Sequence, residues 1–355
     1  MMVSYAMKIL SCKFSLHLLF DPLSLFFIIS LGLFFHPMGR VTAETGFMPQ
    51  GNDIPWIDEE KEQMLDDTQK SASDLLLSAA NWLDSFFDDE RYLAEENTTR
   101  AKLRLSFEYS RNDGFDIKPR VSWRIRLPRF SKKALLVISA ADDDDFSDDQ
   151  DPAAGTPGYK ELEKNDLNAS LKYFLKVGKT YNLSTTFGAS FNYLYGGLRY
   201  RYLHDFGPWQ GRFLDTIRYY TNDGWENKVS IDMERHFSKR WFFRTTVNAS
   251  WYENDNGLPH SLHFQLYQVL NREKALMYEV GNFFDRVPSY KMTNLQLILR
   301  YRQRFYRDWL VLEIAPQVSF PEDHDRKINP GIVVKFEADF GYMAEKREFK
   351  NIFGF

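Results

Sequence analysis

The chain of 355 residues has a single cysteine, Cys12, and a single continuous apolar run of thirteen residues, 23–35. A small scaffold held by disulfides needs several cysteine pairs, so that class is excluded. A helical membrane protein needs repeated apolar runs of about 20 residues, which this chain lacks. The net charge is −4 and the basic residues fall on alternate positions, so nucleic acid is not an expected partner.

Aromatic residues are what the chain has in abundance, since they make up 16% of it although the mean hydropathy is −0.45. A disordered chain of that hydropathy would lack them. Two classes remain, a soluble β-rich protein and a transmembrane β-barrel, whose alternating apolar and polar residues average to a hydrophilic value.

Residues 1–43 have the pattern of a secretory signal peptide. Lys8 and Lys13 precede the apolar run, and Val41 and Ala43 form a small-residue cleavage site after it. The alternative, an uncleaved anchor, stays open. Removal of this segment would leave an exported protein without cysteine, which must gain its stability from backbone pairing and burial.

The next segment, residues 44–97, is predicted to be periplasmic and contains fifteen acidic and three basic residues, a net charge of −12. Apolar residues recur in it at steps of three and four between residues 58 and 87, which predicts an amphipathic helix. The helix either packs against the protein with a solvated acidic face or approaches a basic partner surface.

From Arg100 onward the apolar period changes to two, as in Leu103, Leu105 and Phe107. This alternation predicts strands with one apolar and one polar face. It recurs in about fourteen stretches with no helical pattern between them, so residues 98–344 are predicted to form an all-β, antiparallel, up-and-down barrel. Twelve strands are the alternative count, and residues 345–355 form a tail that ends in Phe355.

Three features favour a membrane barrel over a soluble sandwich. Tyrosine and tryptophan lie near the strand ends, where interfacial girdles require them. Tight basic connections alternate with longer polar ones, as expected for two rims of different character. Arg300, Arg302 and Arg304 follow one polar face, and a water-filled lumen accepts such a column without a desolvation cost.

These features resemble the bacterial outer-membrane β-barrel proteins as a class, of the porin-like kind. Alternating Phe336, Phe340 and Tyr342 and the terminal Phe355 are similar to the closing strand and assembly signal of that class. The resemblance implies the outer membrane of a Gram-negative bacterium as the location. It also implies membrane lipid, lipopolysaccharide and the barrel-assembly machinery as partners.

Basic residues on alternate positions are the candidate lining of the lumen. The predicted lumenal residues are Arg104, Arg120, Arg124, Arg126, Arg199, Arg201, Arg218, Arg244, Arg300, Arg302 and Arg304. The acidic helix is the candidate plug, with Asp58, Glu59, Glu60, Asp66 and Asp67 facing these arginines. In the competing interpretation Glu108, Asp232, Glu234, Glu279, Glu313, Glu337 and Asp339 pair with the arginines across strands and leave little net field.

An acidic stretch at residues 142–151 is a candidate divalent-cation loop at the cell surface. Its seven carboxylates are Asp142, Asp143, Asp144, Asp145, Asp148, Asp149 and Asp151. Oxygen ligands suit Ca²⁺ or Mg²⁺, although the spacing matches no defined cation motif and a solvated loop is the simpler interpretation. No cofactor and no defined metal site is expected.

Catalytic patterns are weak, because the neighbouring pairs are limited to His204-Asp205, His260-Ser261 and His324 between two aspartates. Adjacent strand residues point to opposite faces, so His260 and Ser261 cannot act together in a regular strand. The sequence therefore predicts a passive pore for small, anionic solutes. A non-conducting structural or assembly barrel is the alternative, and a hydrolase or protease at the outer rim is the second alternative.

Overall fold

The computed structural model describes residue 86 and residues 100–126, 133–139, 168–178, 180–238, 240–287, 289–305 and 309–340. These residues all belong to one compact unit, Glu59–Phe355. The predicted signal peptide, the acidic residues of the predicted plug, the acidic loop 142–151 and the tail 345–355 lie outside the described residues.

The described residues form fourteen strands that close into one antiparallel barrel, each strand pairing with its neighbours in the sequence. The predicted barrel is confirmed, and the alternative count of twelve strands is wrong. The strands are β1 (Arg100–Ser110), β2 (Gly114–Arg126), β3 (Ala134–Ser139), β4 (Asn168–Lys176), β5 (Tyr181–Ser190), β6 (Leu194–Phe206), β7 (Trp209–Tyr220), β8 (Gly224–Ser238), β9 (Trp241–Tyr252), β10 (His260–Asn271), β11 (Lys274–Asp285), β12 (Lys291–Arg304), β13 (Leu310–Ser319) and β14 (Asn329–Phe340).

The barrel closes between its first and last strands. Ala101 pairs with Phe340 at one end of this ladder, and Ser110 pairs with Gly331 at the other. The closing strand is therefore β14, and residues 345–355 are not needed for closure.

Two connections show how local sequence sets the hairpins. Asn-Asp-Gly leads into β2 and β8, and its glycine, Gly114 or Gly224, is the first residue of the strand and has a φ near +80° (79° and 78°). A glycine in the left-handed region completes a short hairpin loop at little steric cost. At Gly224 the carboxylate of Glu253 also lies where a Cβ would stand and accepts a hydrogen bond from the amide of Trp225 at 2.9 Å.

The two faces of the sheet differ in the way expected for a membrane barrel. Outward positions are apolar and exposed, with Leu103, Val121 and Trp123 as examples, whereas the inward positions between them carry charged and polar side chains that are buried. A soluble barrel has the reverse arrangement, because its apolar face must leave water. Among the described residues no helix is long and apolar enough to cross a membrane.

Aromatic side chains on the outer face gather at the strand ends. Trp225 stacks edge-on against Tyr219 near one rim, and Trp309 stacks on Phe340 near the other. Tyr193 differs from the predicted pattern, because its ring packs against Tyr195 and Tyr220 on the inner side. Bands of aromatic residues at two heights define the limits of an apolar belt.

One acidic residue interrupts the outer face near the middle of a strand. Asp215 on β7 pairs in register with Val229 and Tyr200, which share the outer face, and it is only 4% exposed. Its carboxylate accepts a hydrogen bond from the amide of Asn227 at 2.6 Å. A carboxylate on an apolar outer wall carries a desolvation cost, which this single hydrogen bond offsets in part.

Candidate functional site

The inner face of the barrel is the candidate functional site, and the structure places the predicted arginines there. Cross-strand register defines the face, because directly opposed residues point the same way. The buried members are Arg124, Arg199, Arg201, Arg218, Arg244, Arg300, Arg302 and Arg304, with Arg104 and Arg120 less deeply buried on the same face. Arg126 opposes Leu135 in register, and its side chain lies outside the described part.

A charged lattice joins β1, β12, β13 and β14. Arg302 donates hydrogen bonds to Glu313 at 3.0 Å and to Glu337 at 2.9 Å, and all three side chains are buried. The Nζ of Lys335 lies 3.4 Å from Glu313, and the Nε of Arg104 lies 3.7 Å from Glu337. Each carboxylate is therefore held by several cations, which compensates its removal from water.

A second lattice joins β7, β8 and β9. Arg212 donates to Asp232 at 2.7 Å, and Arg244 donates to Glu234 at 2.7 Å. Thr246 adds a hydroxyl bond to Asp232 at 2.6 Å. These cross-strand pairs agree with the interpretation in which lumenal acids neutralise arginines.

Other predicted acids have different partners. Glu108 pairs with Lys118 at 2.7 Å near a rim, and Glu279 pairs with His263. Glu226, which sequence reasoning did not single out, lies 3.2 Å from Lys228 and 3.8 Å from Arg218. Its alternate position on β8 was visible in the sequence, but its partners depend on the register.

The sequence analysis also did not predict a buried series of hydrogen-bonded polar side chains on β10 and β11. Nδ1 of His263 lies 2.7 Å from Glu279, whose second oxygen accepts a bond from Gln265 at 3.1 Å. Tyr267 donates to Gln265 at 3.1 Å, and Arg244 approaches the same hydroxyl at 3.4 Å. Arg244 thus connects this series of hydrogen bonds to the second lattice. The series could have been predicted only from the pairing of β10 with β9 and β11.

Phe86 is the described residue that lies outside the strands and against the inner face. It is helical and 2% exposed, and the guanidinium carbon of Arg304 lies 4.9 Å from its ring centre. That distance is typical of a cation–π contact. Arg304 is the last residue of β12, so the contact lies near the rim where the tight turns occur.

Small polar side chains of the inner face are fully covered. Ser230, Thr246, Asn248 and Ser250 have no exposed surface, although they lie on β8 and β9 with their side chains toward the lumen. Wall side chains alone fill a barrel of roughly eight strands, and wider barrels leave space. In this fourteen-strand barrel these small side chains are therefore covered by larger groups.

The catalytic candidates do not assemble into a reactive group. His260 stacks on Phe284 and Tyr290, whereas Ser261 lies on the opposite, inner face. His324 ends a short 3₁₀ helix, Glu322–His324, with its Nδ1 3.2 Å from Asp323 and both side chains exposed. Among the described residues no group of three His, Cys, Asp or Glu side chains could hold a metal ion.

Comparison with known proteins gives fold neighbours without close relatives. No family model matches the chain, and no curated protein matches it. An anion-selective porin from Comamonas acidovorans is 10% identical, with 68% of this chain and 99% of that chain covered, at a TM-score of 0.43. OprB of Pseudomonas putida is 8% identical, with 73% and 98% covered, at 0.41. A bacterial polysaccharide outer membrane secretin is 8% identical, with 69% and 99% covered, at 0.45. At these values the likeness carries no argument about the activity of this chain.

Proposed function

We propose that this protein is a porin-like channel for small solutes in the outer membrane of a Gram-negative bacterium. The observation that carries the proposal is the closed fourteen-strand barrel with an apolar outer face and a charged inner face. Such a barrel is stable only where lipid covers its outside, and its inside suits water and ions. Membrane lipid and lipopolysaccharide are then its immediate partners, and the barrel-assembly machinery is the partner of its insertion.

Anionic solutes are the proposed class. Arginine and lysine outnumber acidic side chains on the described inner face, and a positive potential within low-dielectric walls raises the local concentration of anions. The lattices around Glu313 and Asp232 reduce this potential locally.

A non-conducting barrel is the second candidate, because small inner side chains such as Ser230 and Ser250 are fully covered. We propose that the segment that carries Phe86 supplies this cover and plugs the lumen in the resting state. The negative charge of residues 44–97 and the contact between Phe86 and Arg304 both favour that position.

Single-channel recording of the refolded mature protein in a planar bilayer tests the proposal. Discrete conductance steps support a channel, and rare or brief openings are expected if the resting lumen is plugged. Silence at all voltages, with correct insertion shown by heat-dependent mobility on electrophoresis, would favour the non-conducting barrel.

The acidic loop 142–151 remains a proposed divalent-cation site that bridges the protein to phosphates of lipopolysaccharide. Seven carboxylates within ten residues repel one another unless cations are near. Calorimetric titration with Ca²⁺ tests this before and after deletion of the loop. Equal heats for the two proteins would end the proposal.

A further inference from the structure

One stretch of the inner wall is apolar although it faces the lumen. Phe242 on β9, Val269 on β10, and Ala275 and Met277 on β11 lie on the inner face, and each is at most 3% exposed. Val269 opposes Ala275 in register, and Tyr267 stands between Phe242 and Met277 in the adjacent row. The four residues therefore form one continuous surface, which we call the apolar patch.

The apolar patch lies at the rim that carries the tight turns. Phe242 and Ala275 are the second residues of β9 and β11, which both start at this rim. Arg302 opposes Ala275 across the ladder of β11 and β12, and Arg304 is the next inner residue toward the rim. The patch therefore borders the arginine that contacts Phe86.

The apolar patch is covered on its lumenal side. Wall side chains alone fill a barrel of roughly eight strands, whereas this barrel has fourteen. The guanidinium carbon of Arg244 lies 5.7 Å from the ring centres of Phe242 and Tyr267, so it covers one side of the patch. On the other side Phe86 lies against Arg304 and is itself 2% exposed. A residue of the N-terminal segment thus reaches the rim at which the patch lies.

The predicted amphipathic helix has a face that matches the patch. Steps of three and four place Leu75, Ala79 and Leu83 on the same face as Phe86, whereas Asp84 falls on the opposite face. Apolar surface gains free energy when it leaves water, and carboxylates lose free energy when they leave it. The apolar face therefore suits the patch, and the acidic face suits the water-filled side.

We propose that the apolar patch is the docking surface for the apolar face of the helix that carries Phe86. This inference rests on the plug advanced under the proposed function, because it names the surface that holds the same segment. The acidic face then turns toward the lumen, where arginines of the other strands lie. Because apolar contact holds the helix against β9–β11, its attachment should persist when salt screens charge.

Cross-linking of the full mature protein, with Cys12→Ser throughout, tests the docking surface directly. Val269→Cys marks the patch, while Leu83→Cys and Asp84→Cys mark the apolar and the acidic face of the helix. We expect a short thiol-specific cross-linker to join Val269→Cys to Leu83→Cys about fivefold more than to Asp84→Cys, because the two helix positions face opposite ways. Equal yields, or a higher yield with Asp84→Cys, would overturn the docking surface.

A change within the patch gives a second test of the same contact. Met277→Gln places an amide in the apolar patch and should lower the yield between Val269→Cys and Leu83→Cys about fivefold. Met292→Gln, the same change at the other end of the barrel, is the matched control and should alter the yield less than twofold. Equal effects of the two variants would count against the patch.

Salt separates apolar docking from attachment by charge. A rise from 0.1 M to 1 M KCl shortens the Debye length from about 10 Å to about 3 Å, and the yield should change less than twofold. Collapse of the yield in 1 M KCl would show that charge holds the helix and would overturn the proposal.

The docking surface and the channel can fail separately. Cross-linking that follows the apolar face supports the docking surface even if the protein is silent in a bilayer, in which case the channel fails alone. Conductance without face-specific cross-linking overturns the docking surface and leaves the channel.

Discussion

The ring of Phe86 lies under the guanidinium of Arg304, with 4.9 Å between the guanidinium carbon and the ring centre. Phe86 belongs to the segment before the first strand, and Arg304 ends β12. The contact therefore links the N-terminal segment to the inner wall of the barrel. Its burial, at 2% exposure, supports the proposal that this segment plugs the lumen.

Replacement of Phe86 is expected to open the channel. Phe86→Ala removes the aromatic face that Arg304 contacts, so the segment should occupy the lumen less often. Single-channel recording should then show a higher open fraction than in the parent protein. Phe187→Ala, at an exposed outer position, is the matched control and should leave the open fraction unchanged. Equal open fractions in all three proteins would contradict a plug held by Phe86.

Removal of one partner from the charged lattice is expected to destabilise the barrel. Glu313→Gln would leave the buried Arg302 and the partly buried Lys335 without that carboxylate, a loss of about 3–5 kcal/mol in the free energy of unfolding. Urea unfolding in lipid vesicles measures it. Glu108→Gln, which breaks the more exposed pair with Lys118, should cost less than about 1 kcal/mol. A similar small loss at both positions would show that the lattice is structurally unimportant.

Removal of the Asp215 carboxylate from the outer face is expected to stabilise the barrel. Asp215→Leu removes a buried carboxylate from an apolar wall and should raise the free energy of unfolding by about 1 kcal/mol. Asn227 keeps its bond to the carbonyl of Thr216 at 3.3 Å, so it is not left without a partner. Asp205→Leu near a strand end should change stability by less than about 0.5 kcal/mol. Destabilisation by Asp215→Leu would indicate that the carboxylate has a role beyond its hydrogen bond to Asn227.

Sequence alternation predicted the barrel because each strand has a period of two over most of its length. All fourteen predicted stretches became strands, but several were predicted too short. The alternation predicted strands over 229–237 and 262–266, whereas β8 begins at Gly224 and β10 extends to Asn271. Hydrogen bonding to neighbouring strands extends such segments regardless of local pattern.

The sequence predicted which residue types line the inner face. It did not predict which of these side chains contact one another. Arg300, Arg302 and Arg304 stood out as a column, and the structure places them on the inner face. That Arg302 would bridge Glu313 and Glu337 could not be inferred, because it depends on the register of β12, β13 and β14. The acids predicted to face the arginines from the plug lie outside the described residues, so that pairing stays a prediction.

The orientation of the barrel is expected to place the tight turns in the periplasm. The basic turn at Arg272 is one of these tight turns, and the Asn-Asp-Gly turn at Asp223 belongs to the other rim. The two lie at opposite rims because three strands separate them. Single-cysteine variants Asp223→Cys and Arg272→Cys, combined with Cys12→Ser, can be labelled on intact cells with an impermeant maleimide. We expect labelling of the first only. Labelling of the second only would invert the orientation, and a protein found wholly in the soluble fraction would contradict the membrane assignment.

The reversal potential under a KCl gradient tests the central claim, an anion-preferring channel, most directly. We compare the mature chain with a chain that begins at Asn97, which lacks the acidic segment. Both should give reversal potentials of the sign set by chloride, and the shorter chain should conduct more. A reversal potential of the sign set by potassium in the shorter chain would contradict the account, because the arginines of the inner face would then not govern the lumen.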